Sequence, residues 1–388
     1  MSLTYGADAV YLGGLRFGLR SQAGNFGPAE LAEAIKRCHG CGVKAYVTCN
    51  AVLTNEDARM LPDFLGEIAG ACADAVIVSD IGALTLARKY APAVDIHIST
   101  QAGVFNYESA RALYELGASR IILARELPLR EIAQIRENTP PGLELEAFVH
   151  GSMCMAISGR CLLSNYLTGR DANRGECAQP CRWKYSLIEE QRPGEQFDIT
   201  HGDGTYIMNS RDLCMIDHIR EMTESGVSAL KIEGRMKSAY YAAVVTNAYR
   251  KAIDAAASGL PLPEVWREEL LKVSHREYST GFYFNSEGPG QYHGDSMYRS
   301  VCDVAAIVES CDPDGNAALT QRNKFCRGDE LELLTPVDSP VAFIADRLTD
   351  ADGRELDSAP HPMMSLRLKL PVYAPGFSIL RKYRDKEP

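Results

Sequence analysis

The sequence predicts an α/β protein: a (β/α)8 barrel whose first strand is absent, followed by a small all-β, barrel-like domain. Three observations lead there. Short apolar strands alternate with amphipathic helices through the first two-thirds of the 388 residues, no Gly-x-Gly-x-x-Gly follows any early strand, and beyond about residue 272 strands follow one another directly. Alternation implies a parallel sheet joined by right-handed crossovers. An open doubly wound sheet would share that alternation, but the glycine fingerprint that would support it is missing. The closed, TIM-like barrel is therefore the expected architecture.

The elements follow in order. Strands are expected at AVYLGG (9–14), KAYVTCN (44–50), DAVIVSD (74–80), DIHIST (95–100), RIILARE (120–126), LELEAFVHG (143–151) and ALKIEGR (229–235). Between them, PAELAEAIKRCHG, NEDARMLPDFLGEIAGACA, NYESARALYELGA and RDLCMIDHIREMTESG carry apolar residues at helical three- and four-residue spacing. Seven strands are legible. Thr4-Tyr5-Gly6-Ala7-Asp8 reads as the end of a helix with no strand before it, so one further strand is expected ahead of residue 1. A helix at 238–259 is expected to close the barrel, and LPLPEVW marks a boundary after it. The domains are thus 1–272 and 273–388, with a hairpin (183–208) inserted in the first. In the second, strands such as RSVCDVAAIVES, DELELLTP and SLRLKLP are separated by DPDG, CRGDE and ADG turns, which reads as a small antiparallel barrel or sandwich. Arg322-Asn323-Lys324, Arg327 and the tail Arg381-Lys382-Tyr383-Arg384 are basic clusters that can meet phosphates or simply face water.

Composition narrows the class. Twelve cysteines in 388 residues are too few for a disulfide scaffold of this size, and no signal peptide precedes the first strand. No apolar run approaches the ~18 residues of a membrane span. A soluble cytoplasmic protein with reduced or metal-bound thiols is expected. The net charge of −10 argues against indiscriminate nucleic-acid binding, although a local basic face survives such an average.

Cys154, Cys161, Cys177 and Cys181 form a Cys-x6-Cys-x15-Cys-x3-Cys segment (151–182) threaded with glycines. Glycines make it a turning loop able to fold its thiols inward. Structural zinc sites usually build each half from a tight Cys-x2–4-Cys knuckle, and only the second pair has that form. A [4Fe–4S] cluster needs one thiolate per iron and tolerates irregular spacing; cluster, zinc and metal-free loop all stay open on spacing. The Cys-x3-Cys-x2-Cys of radical chemistry on S-adenosylmethionine fails, because Lys184 stands at its third position.

Barrel chemistry sits where strands end, and the strand ends here are polar: Asn50, Asp80, Gln101, Arg125, His150 and Glu233-Gly234-Arg235. By alternation Glu146, Phe148 and His150 share one face, and Lys231, Glu233 and Arg235 another. Glu146, His150 and Glu233 are the candidates for proton transfer. Asp80 and Asn50 have a plain alternative as helix N-caps, and a Glu146–Lys231 or Glu233–Lys231 pair would be structural. Cys38-x2-Cys41 lies at a helix C-terminus rather than the N-terminus a redox pair favours.

Several motifs together resemble the peptidase U32 family: Glu146-Ala-Phe148-Val-His150-Gly151-Ser152-Met153-Cys154, Ser158-Gly159-Arg160-Cys161, Arg170-Asp171-Ala-Asn173-Arg-Gly175-Glu-Cys177-Ala-Gln179-Pro-Cys181-Arg182, Lys231-Ile-Glu233-Gly234-Arg235-Met236-Lys237 and Gln321-Arg-Asn-Lys-Phe325. The similarity is strongest to the members that hydroxylate tRNA. It implies a barrel with a β-rich C-terminal domain and an iron–sulfur cluster on the cysteines at 154, 161, 177 and 181. It further implies hydroxylation of a wobble uridine at carbon 5, with prephenate as hydroxyl source, and no obligate protein partner. Arg125, Arg160, Arg182 and Arg235 are the guanidiniums available to a dicarboxylate, with Asn50, Asp80, Gln101 and Lys231 as further binding candidates. An unstacked anticodon uridine can enter such a pocket.

Three other functions compete. Proteolysis is suggested by the family's name, yet neither His-Glu-x-x-His nor Gly-x-Ser-x-Gly occurs, leaving only a Cys154/His150 thiol dyad. Related members modify ribosomal RNA. An RNA-binding subunit with a structural cluster is the third.

Overall fold

The computed structural model describes residues 1–21, 23–154, 156–157, 160–185, 187–188, 196–197, 209–284 and 300–384. Two compact units divide the chain: Asp8–Met236 with Arg276–Met297, and Met1–Ala7 with Lys237–His275 and Tyr298–Pro388.

The first unit alternates strand and helix as expected: β1 (Ala9–Gly13), α1 (Pro28–Gly40), β2 (Lys44–Cys49), α2 (Asn55–Gly70), β3 (Ala75–Val78), α3 (Ile81–Tyr90), β4 (Asp95–Ile98), α4 (Tyr107–Glu115), β5 (Arg120–Ile122), α5 (Leu129–Glu137) and β6 (Glu144–Ser152). The helices start where the sequence says they should. Thr54 and Asp57 form a reciprocal capping box on α2, and Asn106 caps α4. The inner strands are buried nearly throughout, Ala75-Val76-Ile77-Val78 completely, as a parallel sheet covered on both faces requires, whereas β1 at the open edge is half-buried at four of its five residues. After β6 come α6 (Leu163–Thr168) and the short antiparallel pair β7 (Leu187–Ile188) and β8 (Gln196–Phe197). That pair falls within the expected hairpin; residues 186, 189–195 and 198–208 lie outside the described residues. Next follow β9 (Asp212–Cys214), α7 (Ile219–Glu224) and β10 (Ala229–Ile232). The segment read as one helix from Arg211 therefore begins as a strand.

β1 to β6 pair in parallel in chain order, and β10 pairs β6 in parallel. Among the described residues β1 pairs with β2 alone and β10 with β6 alone, so the backbone ladder does not close and no eighth parallel strand is present. Side chains meet across the seam instead: Tyr11 of β1 donates to Glu233 at 3.0 Å, and Arg235 reaches Thr48 Oγ1 at 3.5 Å. β6 has one further neighbour beyond its parallel stretch, and that strand carries another. Residues His150–Ser152 turn to pair antiparallel with β9, and β11 (Tyr278–Ser279) pairs β9 in parallel. REYSTGFYF, read as opening the second domain, therefore contributes a strand to this sheet.

The second unit holds α8 (Ala239–Ala257), α9 (Glu264–Leu271) and an antiparallel sheet. Its strands are β12 (Cys302–Cys311), β13 (Asn316–Gln321), β15 (Glu330–Leu334), β16 (Val341–Ile344), β17 (Leu348–Asp350), β19 (Ser365–Lys369) and β20 (Ile379–Tyr383), ordered β16-β15-β20-β12-β13-β19-β17. β14 (Phe325–Cys326) and β18 (Ser358–Ala359) form a separate pair. This division does not follow the sequence boundary at 272. α8, expected to close the barrel, is tied here: Asn247 donates to the Thr335 carbonyl at 3.0 Å. The basic tail is a central strand rather than a surface cluster. Arg381 is 0% exposed and paired with Glu269 and Glu332, while Lys382 pairs with Asp329 and Arg384 with Asp303. No helix among the described residues is long and apolar enough to cross a membrane.

Candidate active site

Each of the seven parallel strands, or the loop that follows it, contributes side chains to one cavity. Tyr11 comes from β1 and Arg20 from the loop after it, Thr48 and Asn50 from the end of β2, and Ile77 from β3. Ser99, Thr100 and Gln101 follow β4, Ile122 and Arg125 belong to or follow β5, Phe148 lies on β6, and Lys231, Glu233 and Arg235 on and after β10. Chemistry at the strand ends was the expectation, and Asn50, Gln101, Arg125, Lys231, Glu233 and Arg235 converge as that expectation required.

The lining carries four cations, Arg20, Arg125, Lys231 and Arg235, against the single carboxylate of Glu233. Glu233 accepts from Tyr11 at 3.0 Å and from the Arg235 backbone N–H at 3.1 Å, with Arg20 at 3.8 Å. Burial pushes its pKa up, but Arg20 and these donors outweigh it and hold the carboxyl below its ordinary value. Tyr11 is pushed well above the usual phenol value by burial and by the neighbouring Glu233 charge, so it keeps its proton. Arg235 is lowered by burial. Arg125 lies over the Phe148 ring and donates to the Ser152 carbonyl at 3.3 Å, yet its buried Nε has no hydrogen-bond partner among the described residues. Asn50 is fixed by the Leu19 N–H and by Ser99, both at 3.3 Å.

Five predicted residues are placed elsewhere. Glu146 lies beneath the cavity, bonded to Lys231 at 2.7 Å and to Arg120 at 3.0 Å. Burial raises its pKa, but these two cations more than offset it, so the carboxyl is a committed anion and the structural pair is realised. His150 is absent from the lining because β6 bulges. Phe148 faces Lys231 and His150 faces Ile232, so one extra residue breaks the alternation. His150 lies instead beside Tyr278, whose hydroxyl is 3.4 Å from Nε2. Asp80 caps α3 through the Ala83 N–H at 2.9 Å. Arg160 donates to the Gln101 carbonyl at 2.6 Å, outside the lining. Arg182 braces the cysteine loop, donating to Met153, Asn209 and Ser210.

The four cysteines lie close to this cavity. Ser21, next to the lining residue Arg20, donates to the Gly175 carbonyl of the cysteine loop at 2.8 Å. Cys154, Cys177 and Cys161 act on Cys181, whose pKa is raised by burial first and then by them. Backbone N–H groups two residues on point at two of the sulfurs, Leu163 at Cys161 and Gln179 at Cys177, each at 3.4 Å. Such donors stabilise a thiolate, and four soft sulfurs suit zinc or an iron–sulfur cluster. Among the described residues no three His, Cys, Asp or Glu side chains are already gathered at metal-holding distance.

Residues 1–292 match the model of peptidase family U32, and residues 301–381 that of the U32 C-terminal domain. The chain belongs to the peptidase U32 family. Among its relatives is the tRNA hydroxylation protein P1 of Bacillus subtilis, 38% identical over 98% of this chain and 91% of that protein. The tRNA hydroxylation protein P of Escherichia coli is 37% identical over 95% of this chain and 90% of its own length. A U32 relative named collagenase, from Porphyromonas gingivalis, is 35% identical over 76% of this chain and 71% of that protein.

Sequence reasoning missed Tyr11, Arg20, Thr48, Ser99 and Thr100 in this U32 site, and it placed Phe148 on the shared face of its strand without giving it a role. A signal existed for Arg20: it stands in the loop after the first strand, where a barrel places its active residues.

Proposed function

We propose that this U32 protein hydroxylates an RNA base, most specifically a wobble uridine of tRNA at carbon 5 with prephenate as hydroxyl donor. The observation that carries this is the cavity's charge: four cations against one carboxylate, with an unpartnered Arg125 Nε. That surplus suits a dicarboxylate, which needs paired guanidinium donors. The names of two relatives, 38% and 37% identical over more than nine-tenths of this chain, support an RNA substrate. The side-chain contacts across the β1–β10 seam support treating the sheet as a barrel with one open stave, whose mouth is this cavity.

Replacing C5–H by C5–OH removes two electrons from the base, so the donor must leave with hydrogen in place of its hydroxyl. Arg125 and Arg235 would hold the donor's carboxylates. Glu233 would take the proton lost from carbon 5, and Tyr11, which shares a 3.0 Å hydrogen bond with it, would pass one to the donor carbon that gives up its hydroxyl, so that the donor leaves carrying hydrogen there. Cys154, Cys161, Cys177 and Cys181 would hold a [4Fe–4S] cluster, or zinc as the alternative, and such a cluster would supply Lewis-acid or redox chemistry beside Arg20. The setting would be cytoplasmic.

Anaerobic purification with iron and acid-labile sulfide counted, followed by nucleoside mass spectrometry of tRNA incubated with prephenate, tests this. About four irons and four sulfides per chain, lost in Cys177→Ala/Cys181→Ala, with 5-hydroxyuridine formed only by the wild type, is the expected result. Zinc without sulfide overturns the cluster. Product in ribosomal RNA alone redirects the substrate, and polypeptide cleavage abolished by Cys154→Ala favours a peptidase.

A further inference from the structure

The segment that carries the cysteines also carries an apolar and aromatic surface that the cavity does not use. Ile157 is 65% exposed, Leu162 74%, Tyr166 84% and Trp183 42%. Leu162, the N-cap residue of α6, and Tyr166 stand one turn apart. α6 is tied to the turn before Trp183, since Ser164 Oγ accepts from the Ala178 N–H at 3.0 Å. Large exposed rings gathered in one segment mark a binding surface. The charge around them has a sign. Between 151 and 184 the sequence holds Arg160, Arg170, Arg174, Arg182 and Lys184 against Asp171 and Glu176, in a chain of net charge −10. Arg160, Arg170 and Lys184 are exposed. The surface reaches the cavity directly, because Arg160 donates to the carbonyl of the lining residue Gln101 at 2.6 Å.

We propose that this surface is a single-stranded RNA platform: Tyr166 and Trp183 stack the bases that flank the nucleotide entering the cavity, while Arg160, Arg170 and Lys184 meet their phosphates. The inference rests on the RNA reading of the site and adds its docking surface. Rings offer every base a face, and cations follow the backbone, which is how unpaired strands are held without sequence readout. A duplex keeps its bases stacked on each other and has none to give these rings.

Fluorescence anisotropy with a labelled anticodon stem-loop, and with a blunt duplex of the same stem, tests the platform on iron-replete protein. Tyr166→Ala and Trp183→Ala are each expected to weaken stem-loop binding roughly tenfold, with duplex binding little changed and iron content intact. Tyr166→Phe is expected to keep wild-type affinity. Tyr90→Ala, an exposed tyrosine at the far end of α3, sets the baseline. Arg170→Gln is expected to reduce the slope of log affinity on log salt by about 0.7, one phosphate contact on a single strand. Wild type that binds the stem-loop, with a Tyr166→Ala/Trp183→Ala variant that binds it equally well, overturns the platform and leaves the patch to a protein partner. Wild type that binds no RNA at all overturns the RNA reading together with it.

Discussion

Glu146→Gln separates architecture from catalysis at the base of the cavity. The carboxylate has only 7% of its side chain exposed and holds Lys231 at 2.7 Å and Arg120 at 3.0 Å. Removing one member of a buried pair leaves the other charge uncompensated and typically costs about 3–5 kcal/mol. Arg120 keeps Glu144, at 2.7 Å from its Nε, so the uncompensated charge is that of Lys231. The lower end, about 3 kcal/mol, is therefore expected. For a unit of this size that is a fall in Tm on the order of 10 °C.

The loss has a pH signature. The folded-state pKa of Glu146 lies below its ordinary value of 4.5, so the unfolded chain takes up the proton first as pH falls. The stabilisation is therefore complete above that ordinary value and disappears as pH drops through the lower folded value. Melting curves of wild type and Glu146→Gln should differ most at neutral pH and converge as pH falls through the lowered folded-state value. A second substitution, Lys231→Met, should recover part of the stability by removing the stranded charge. Activity per folded molecule should fall less than about tenfold, since Glu146 does not line the cavity. A Glu146→Gln protein with wild-type Tm but activity reduced more than about a hundredfold would refute the reasoning and make Glu146 a reacting group.

Three further outcomes are expected. Glu233→Gln should lower turnover about a hundredfold or more, and Tyr11→Phe about tenfold; full turnover in both would remove the pair from proton transfer. Arg125→Met should raise the KM for the dicarboxylate roughly 10- to 100-fold while stem-loop affinity holds, and an unchanged KM would show that the carboxylate binds elsewhere. Gly151 has φ +126°, and a β-carbon there would lie 2.8 Å from the Glu233 carbonyl oxygen. Gly151→Ala should therefore cost about 1–3 kcal/mol and lower turnover by shifting Glu233; a variant with normal melting and turnover would show the β6–β10 contact to be compliant.

What the sequence did and did not reveal at the site has specific physical causes. Asn50 and Asp80 follow strands in the same way, yet one lines the cavity and the other caps a helix. The difference was legible in retrospect: Thr54-x-x-Asp57 already caps α2 and frees Asn50, whereas Asp80 is the last residue before α3 with no other cap. His150 was misplaced for a different reason, because two-residue alternation holds only while the ladder keeps step, and the extra residue in β6 is a property of the pairing with β10. Arg381 failed in the same way: three charges in four residues read as surface, while the acids that bury it stand 112 and 49 positions away. Alternation reports which residues end strands, and for that reason six cavity residues were found. Which of those ends share a mouth depends on the curl that brings Tyr11 against Glu233, 222 residues apart. That contact puts the proton-holding phenol beside the one carboxylate in the lining, and no local pattern in either strand encodes it.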